Sequence, residues 1–380
     1  MISDKSHRNY IIIVVVVVVL LVLAKIIGSW QERGSDVHLL SKHYPAERYI
    51  LERINNQQWY IYNQQGDTTG ILYTGKGDGY NGPVGVLVKT SLDGHIRNVD
   101  VLYHSDTPSY FQKLHQAGFL EKLSSLSREQ LQNTEQTDVV SGATISSEAV
   151  LRAAKQALAI PLQPDSEKAV FQPQKMWLTM FILLTFLAAF FQPRIRPRSW
   201  QRYTHWLLML FTLFYLGFAK GEMLTLSRFA ALLSGYLPGL HQHLPFYSLL
   251  GASFILFFAT RRNIYCQSVC PFGSAQELAG KIGGAKPAPR SIREKWKWIQ
   301  WSGALLALGL ALAMNNPGLA QYEVFGAFFQ LTGHSILFII LFITIVASLF
   351  IRRPWCRFLC PIDGVFAFLR SLRVSLTRKA

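Results

Sequence analysis

The sequence predicts an integral membrane α-helical bundle of about six transmembrane helices that carries one extracytoplasmic α+β domain. Three observations predict it. Half of the 380 residues are hydrophobic. They gather in several runs that approach the roughly 20 residues needed to cross a bilayer. Between those runs, Lys and Arg cluster in alternate loops.

The first run, Ile11 to Leu23, is almost entirely Ile, Val and Leu, with Lys5 and Arg8 before it and Lys25 just after. A cleaved export signal needs a small-residue cleavage site, and only Ala24 offers a weak one. Residues 1–30 therefore read as an uncleaved anchor. Further apolar runs lie near Met176 to Phe191, Trp206 to Phe218, Phe246 to Thr260, Trp298 to Met314 and His334 to Ile351. In lipid every backbone polar group must bond internally, so each is expected to be a helix, and residues 175–380 form a polytopic membrane domain. The polar stretch 31–174 mixes alternating and helical periodicities and reads as one folded domain.

Charge separates the two parts. From Gln31 to Lys175 there are 14 Lys and Arg against 16 Asp and Glu, whereas Met176 to Ala380 holds 21 against 5. The net charge of +16 thus belongs to the membrane half. It sits in short loops: Arg194 to Arg202, Arg261 to Lys297, and Arg352 to the tail. Positive charge in alternate loops marks the cytoplasmic side, so both termini are expected inside and the folded domain outside, across a bacterial inner membrane. This placement excludes a nucleic-acid surface. The mapped apolar runs contain no acidic residue, which argues against ion or substrate transport.

All four cysteines fall in two copies of one motif, Cys266-x3-Cys270-Pro271 and Cys356-x3-Cys360-Pro361. Each copy follows an apolar run and a double arginine. Cysteines four apart share one face of a helical turn, so each motif can aim two sulfurs at one point. Four thiolates suit an iron–sulfur cluster, and the Cys-x3-Cys-Pro ending matches that of bacterial ferredoxin runs. Of the two cluster types, 4Fe-4S is favoured over 2Fe-2S. Structural zinc takes the same ligands, and buried unreactive thiols remain a third reading. Arg262, Arg353 and Arg357 stand close enough in sequence to offset the charge of a ligated cluster.

In the polar domain, Gly77-x-Gly79-x-x-Gly82 matches the dinucleotide fingerprint formally. That fingerprint needs a helix after the glycines. Here Val84 to Thr90 reads as a strand, so the glycines are expected to make a hairpin or a close backbone approach. Asp93-Gly94 then turns the chain into a second strand, Val99 to Tyr103. Later, Asp138-x-x-Ser141-Gly142-Ala143-Thr144-x-Ser146 precedes helical periodicity from Glu148 to Leu158. A helix start exposes unpaired N–H groups that would hold a phosphate, although ordinary capping by Ser and Thr accounts for the same residues.

The pattern Asp-x-x-Ser-Gly-Ala-Thr-x-Ser resembles the flavinylation motif of FMN-binding domains. The resemblance implies that a flavin transferase esterifies the FMN phosphate onto Thr144, with Asp138, Ser141, Gly142, Ala143 and Ser146 completing the motif. Gly79-Tyr80-x-Gly82-Pro83 and His104-Ser-Asp-Thr107-Pro108 are similar to segments of the FMN-carrying subunits of the Rnf and Nqr redox pumps. After Pro108 those families continue Gly-x-Gly, where this chain has Ser109-Tyr110-Phe111.

The whole order of anchor, outer FMN domain, helices and two Cys-x3-Cys-Pro motifs resembles the NosR and PceC group of membrane flavoproteins. It is closer to the short PceC-like form, because no further cysteine runs follow the second motif. The resemblance implies transmembrane electron transfer between a cytoplasmic-side or quinone donor and an extracytoplasmic reductase or electron carrier. The alternative is a redox sensor or maturation factor for such a reductase. No nucleophile–base pair, phosphate loop or catalytic carboxylate pair is present, so no catalytic residue is assigned and no stand-alone turnover is expected. The hydrocarbon core, roughly 30 Å thick, is wide for one electron step. His205, His241, His243 and His334 are candidates for a relay, and interfacial hydrogen bonding is their plainer use.

Overall fold

The computed structural model describes all residues except 1–3, 56, 107, 134–139, 141–143, 160–172, 238, 241–242 and 378–380. It opens with helix α1, Asp4–His43, which contains the apolar span Ile12–Ser29. The helix runs past the boundary expected at residue 30. The next proline, Pro45, stands just beyond its end, where the missing N–H would stop it.

Five strands follow as an antiparallel meander: β1 (Ile50–Asn55), β2 (Gln58–Tyr62), β3 (Thr68–Asp78), β4 (Pro83–Thr90) and β5 (Ile96–His104). The two expected strands correspond to β4 and β5, and Gly94 makes the turn between them with φ +81°. Alternation sorts the side chains onto two faces. Val84, Val86 and Val88 face short helices α2 (Pro108–Gln116), α3 (Phe119–Ser124) and α4 (Arg128–Asn133), together with α5 (Thr144–Ala157). Leu72, Leu87 and Leu102 face the other way, where Leu40 and Tyr44 at the end of α1 join Trp59 and Ile61 in a second core.

The glycines of β3 explain how tightly α5 packs. A Cβ added at Gly75 would stand 2.0 Å from the Ala153 carbonyl oxygen, and one at Gly77 would stand 2.0 Å from that of Ala149. Gly77 pairs with Val84 and Asp78 with Pro83, so Gly79 to Gly82 form the hairpin turn, closed by the Gly79 N–H donating to the Gly82 carbonyl at 3.0 Å. The glycines thus serve a hairpin and a close approach, as expected, and no helix follows them.

The second half is helical. Its main elements are α6 (Pro173–Phe191), α7 (Arg198–Phe211, continued by a π-helical segment Thr212–Ala219), α8 (Leu226–Leu233), α9 (Leu244–Thr260), α10 (Pro271–Gly283) and α11 (Arg290–Ala313). Then come α12 (Phe325–Phe329), α13 (Ser335–Phe350), α14 (Pro354–Phe358) and α15 (Pro361–Thr377). Every apolar run marked in the sequence is helical. Among the described residues, the segments Ile12–Ser29 and Lys175–Arg194 are long and apolar enough to cross a membrane, while α9 and α13 are apolar but shorter.

The sheet domain is seated on the helical half. A Cβ added at Gly28 of α1 would stand 2.1 Å from the Leu312 carbonyl oxygen of α11. Asn81 of the β3–β4 turn accepts from the Ser227 hydroxyl at 3.1 Å and donates to Gln321 at 3.3 Å. The Arg228 guanidinium lies 3.9 Å from the Tyr80 ring centroid, 4.6 Å from that of Phe246, and pairs with Glu222 at 3.1 Å.

Candidate flavin and cysteine sites

In the sheet domain, Asp106 gathers the residues expected around the flavin. One carboxylate oxygen accepts from the Asn81 N–H at 2.7 Å, and the other accepts from the Ser146 hydroxyl at 2.7 Å. The Tyr80 N–H also turns to it. Burial pushes the Asp106 carboxyl up from its ordinary value, and these three donors counter part of that rise. His104 Nδ1 lies 2.9 Å from the Asp106 carbonyl oxygen, and its ring stacks on Phe111 at 3.9 Å. Burial holds the His104 pKa down.

Gly79, Tyr80, Gly82, His104 and Ser146 therefore meet at one place, and Thr144 is the first residue of α5 beside it. Asp138, Ser141, Gly142, Ala143 and Thr107 lie outside the described residues. Helix starts hold phosphate through exposed N–H groups, and α5 starts at Thr144. Asp106 was not singled out from the sequence. Its signal was a carboxylate directly after a strand with no cationic neighbour in the segment.

The four cysteines are free thiols, with Cys270 and Cys360 buried and Cys266 and Cys356 half-buried. The two motifs converge. Cys270 and Cys360 belong to one core, and Cys266 packs against it. Each motif ends in the same way: Pro271 and Pro361 begin helices α10 and α15, where a missing N–H costs nothing. The freed N–H groups of Phe272 and Gly273 turn to the Cys270 sulfur, and that of Asp363 turns to Cys360. In both copies a π-type bond closes the turn, from Cys270 N–H to the Tyr265 carbonyl at 2.8 Å and from Cys360 N–H to that of Trp355 at 2.9 Å.

Side chains from elsewhere lock the motifs together. Arg353, just before the second motif, donates to the carbonyls of Cys266 and Gln267 in the first at 2.9 and 3.0 Å. Arg352 and Arg353 both pair with Glu277. Gln276 donates to the Cys356 sulfur at 3.3 Å, and Gln300 donates to the Cys360 carbonyl at 2.6 Å. Four sulfurs, three of them served by N–H donors, with a guanidinium nearby fit an iron–sulfur cluster held by Cys266, Cys270, Cys356 and Cys360. Among the described residues, no group of three or more His, Cys, Asp or Glu side chains is drawn together tightly enough to hold a single metal ion.

The site is tied to the connection after α11. Gln300, its contact on α11 itself, stands three residues past Lys297, at the start of that helix's apolar run. Phe272, two residues past Cys270, packs against Phe325 and Phe328 of the α11–α13 connection with ring centroids 5.3 and 5.6 Å apart. The Tyr322 hydroxyl donates to the Leu359 carbonyl at 3.4 Å, and the Leu224 N–H donates to the Tyr265 hydroxyl at 3.0 Å. Of the candidate relay histidines, His243 precedes α9 and lines a small cavity with Tyr80, Arg228 and Phe246. His334 precedes α13, the His205 ring is 6.3 Å from that of Trp206, and His241 lies outside the described residues.

Comparison with known proteins matches both regions of the chain. An FMN-binding domain model matches residues 79–159, and a 4Fe-4S binding domain model matches twice, at 242–289 and 332–379, once for each cysteine motif. YccM of Escherichia coli, named as a candidate electron transport protein, is 29% identical over 162 residues, covering 38% of this chain and 44% of that protein. Regulatory protein NosR of Pseudomonas aeruginosa is 28% identical over 224 residues, covering 54% and 30%. Protein NirI of Paracoccus denitrificans is 27% identical over 195 residues, covering 47% and 28%. The matched stretch spans less than half the length of each of these relatives. Taken together, the domain matches and relatives fit a NosR-type protein that joins an FMN-binding domain to a twice-repeated 4Fe-4S binding domain.

Proposed function

We propose that the chain spans a bacterial inner membrane several times and carries electrons across it. They would pass between a cytoplasmic-side or quinone donor and an extracytoplasmic acceptor. FMN esterified to Thr144 and a cluster on the four cysteines are its two stations. Electron transport with FMN and 4Fe-4S accords with the domain matches and with the name of one relative. Bound FMN would exchange electron pairs for single electrons, the currency of an iron–sulfur centre.

The observation that carries the reading is that the cysteine site is bonded to the segments that also hold the flavin domain. Its contacts reach the segments around Leu224 and Tyr322. Ser227 and Gln321, close to those segments, hold Asn81 of the flavin domain. Both sites are thereby tied to one pair of segments, the arrangement that a conduit between them would use. An open cavity of about 620 Å³ beside the first motif, lined in part by Phe190, Arg194, Arg262 and Gln267, is of the size a quinone head group needs. The name of Regulatory protein NosR supports the alternative, a redox sensor or maturation factor working with the same groups.

The test is cofactor content after purification from membranes of a host that also expresses a flavin transferase. Wild type should show a fluorescent band on a denaturing gel together with iron. Thr144→Ala should lose the band and keep the iron, and Cys360→Ser should do the reverse. A fluorescent band persisting in Thr144→Ala would remove the attachment claim. Wild type without iron would remove the conduit.

A further inference from the structure

We propose that Gln276 is a positioning residue that makes the two halves of the cysteine site unequal: its side-chain amide hydrogen-bonds the sulfur of Cys356 and holds the turn that presents it. The inference rests on reading the four cysteines as cluster ligands.

Gln276 lies on α10, the helix that follows the first motif, and is fully buried. All its polar atoms are engaged. Oε1 accepts from the Trp355 N–H at 2.9 Å. Nε2 donates to the Cys356 sulfur at 3.3 Å and to the Phe272 carbonyl at 3.4 Å. These partners fix the amide's orientation, which is otherwise ambiguous for a glutamine. Flipping it would set oxygen against the Phe272 carbonyl and nitrogen against the Trp355 N–H. An N–H therefore faces the sulfur.

The donor belongs to one half only. In the repeat of about 90 residues, the place of Gln276 is taken by Phe366, which is buried against Phe254 and Phe257 and has no hydrogen to give. Cys356 is thus served by a side-chain amide from the opposite motif, whereas Cys270 is served by backbone N–H groups and the Tyr265 hydroxyl of its own motif, and Cys360 by a backbone N–H of its own helix. A hydrogen bond to a ligating sulfur withdraws electron density and favours the more negative, reduced state, so it raises the potential. A residue spanning both motifs also couples their geometry.

The measurement is a redox titration of the full-length protein followed by electron paramagnetic resonance, with iron and flavin content determined in parallel. Gln276→Leu removes both amide functions. Gln276→Glu keeps an oxygen for the Trp355 N–H but offers no donor to the sulfur. Both variants are expected to keep wild-type iron and FMN, to shift the cluster midpoint to lower potential, and to alter its g-values. Should Gln276→Leu fail to assemble, Gln276→Glu decides. Iron-loaded variants with an unmoved midpoint would overturn the inference, as would loss of iron from both, since that makes Gln276 an assembly residue. Wild type without iron would instead defeat the underlying reading of the cysteines.

Discussion

In the sheet domain, the expected flavin residues come from a hairpin turn, the end of β5 and the start of α5, and their polar atoms converge on one carboxylate, Asp106. In the helical half, each cysteine pair is local, and the pairs are linked by Gln276, Gln300 and Arg353, which reach between segments tens of residues apart. The first site is shaped by how closely backbones approach. The second is shaped by which buried side chains have donors to spare. Damage should follow that division: space-filling changes should harm the sheet domain most, and loss of a single polar group should be felt most sharply where it leaves others unpaired.

The largest effect is expected at Gly77. A Cβ there meets the Ala149 backbone of α5, which cannot yield without moving the helix. Gly77→Val should cost more than about 4 kcal/mol, in the range reserved for core overpacking or strain. Limited proteolysis should then cleave the sheet domain while iron in the helical half is retained. Equal loss of iron would break the proposed separation of the two sites.

Asp106→Ala comes next. It strips the acceptor from Ser146, Asn81 and Tyr80, at about 1–3 kcal/mol for each donor left buried and unpaired. Thermal unfolding followed by flavin fluorescence should show a lowered midpoint, partly restored in Asp106→Asn. An unchanged midpoint would mean that the carboxylate does not organise the site.

The smallest effect concerns Glu323, whose Oε1 accepts from the N–H of Leu226 at the start of α8 while Oε2 is buried with no side-chain or main-chain hydrogen-bond partner within reach among the described residues. Burial raises this carboxyl to about 7 from an ordinary 4.5. The folded protein then holds a proton that the unfolded chain has released between about pH 4.5 and 7, so stability should fall as pH rises through that window and level off above it. Glu323→Gln should flatten this slope. Parallel melting curves for both proteins from pH 5 to 8 would contradict it.

Much of this architecture was legible in the sequence. The apolar runs, strands β4 and β5, helix α5 and the doubled cysteine motif each follow from local periodicity or spacing. The fingerprint-like glycines are legible as a hairpin in place of a strand-to-helix dinucleotide turn, because β-branched residues follow them. Strands β1 to β3 were not separated, since their Gln, Asn and Gly content blurs the alternation that Trp59 and Ile61 alone would give. Asp106 was hidden as one letter of a family segment. Gln276 and Gln300 were hidden because nothing nearby in sequence shows what they bond. A polar amide amid the small and apolar residues after Cys270 was the available clue.

Helix α1 continues without interruption from its apolar span to Leu40, which is embedded beneath the sheet. The flavin domain is therefore carried on a rigid shaft instead of a tether. An α-helix advances about 1.5 Å and turns about 100° per residue, so the number of residues between membrane and sheet sets both the height and the compass bearing of the domain. One residue more or fewer would swing Asn81 and Tyr80 away from Ser227 and Arg228. Length along this helix is thus a determinant of how the two halves meet.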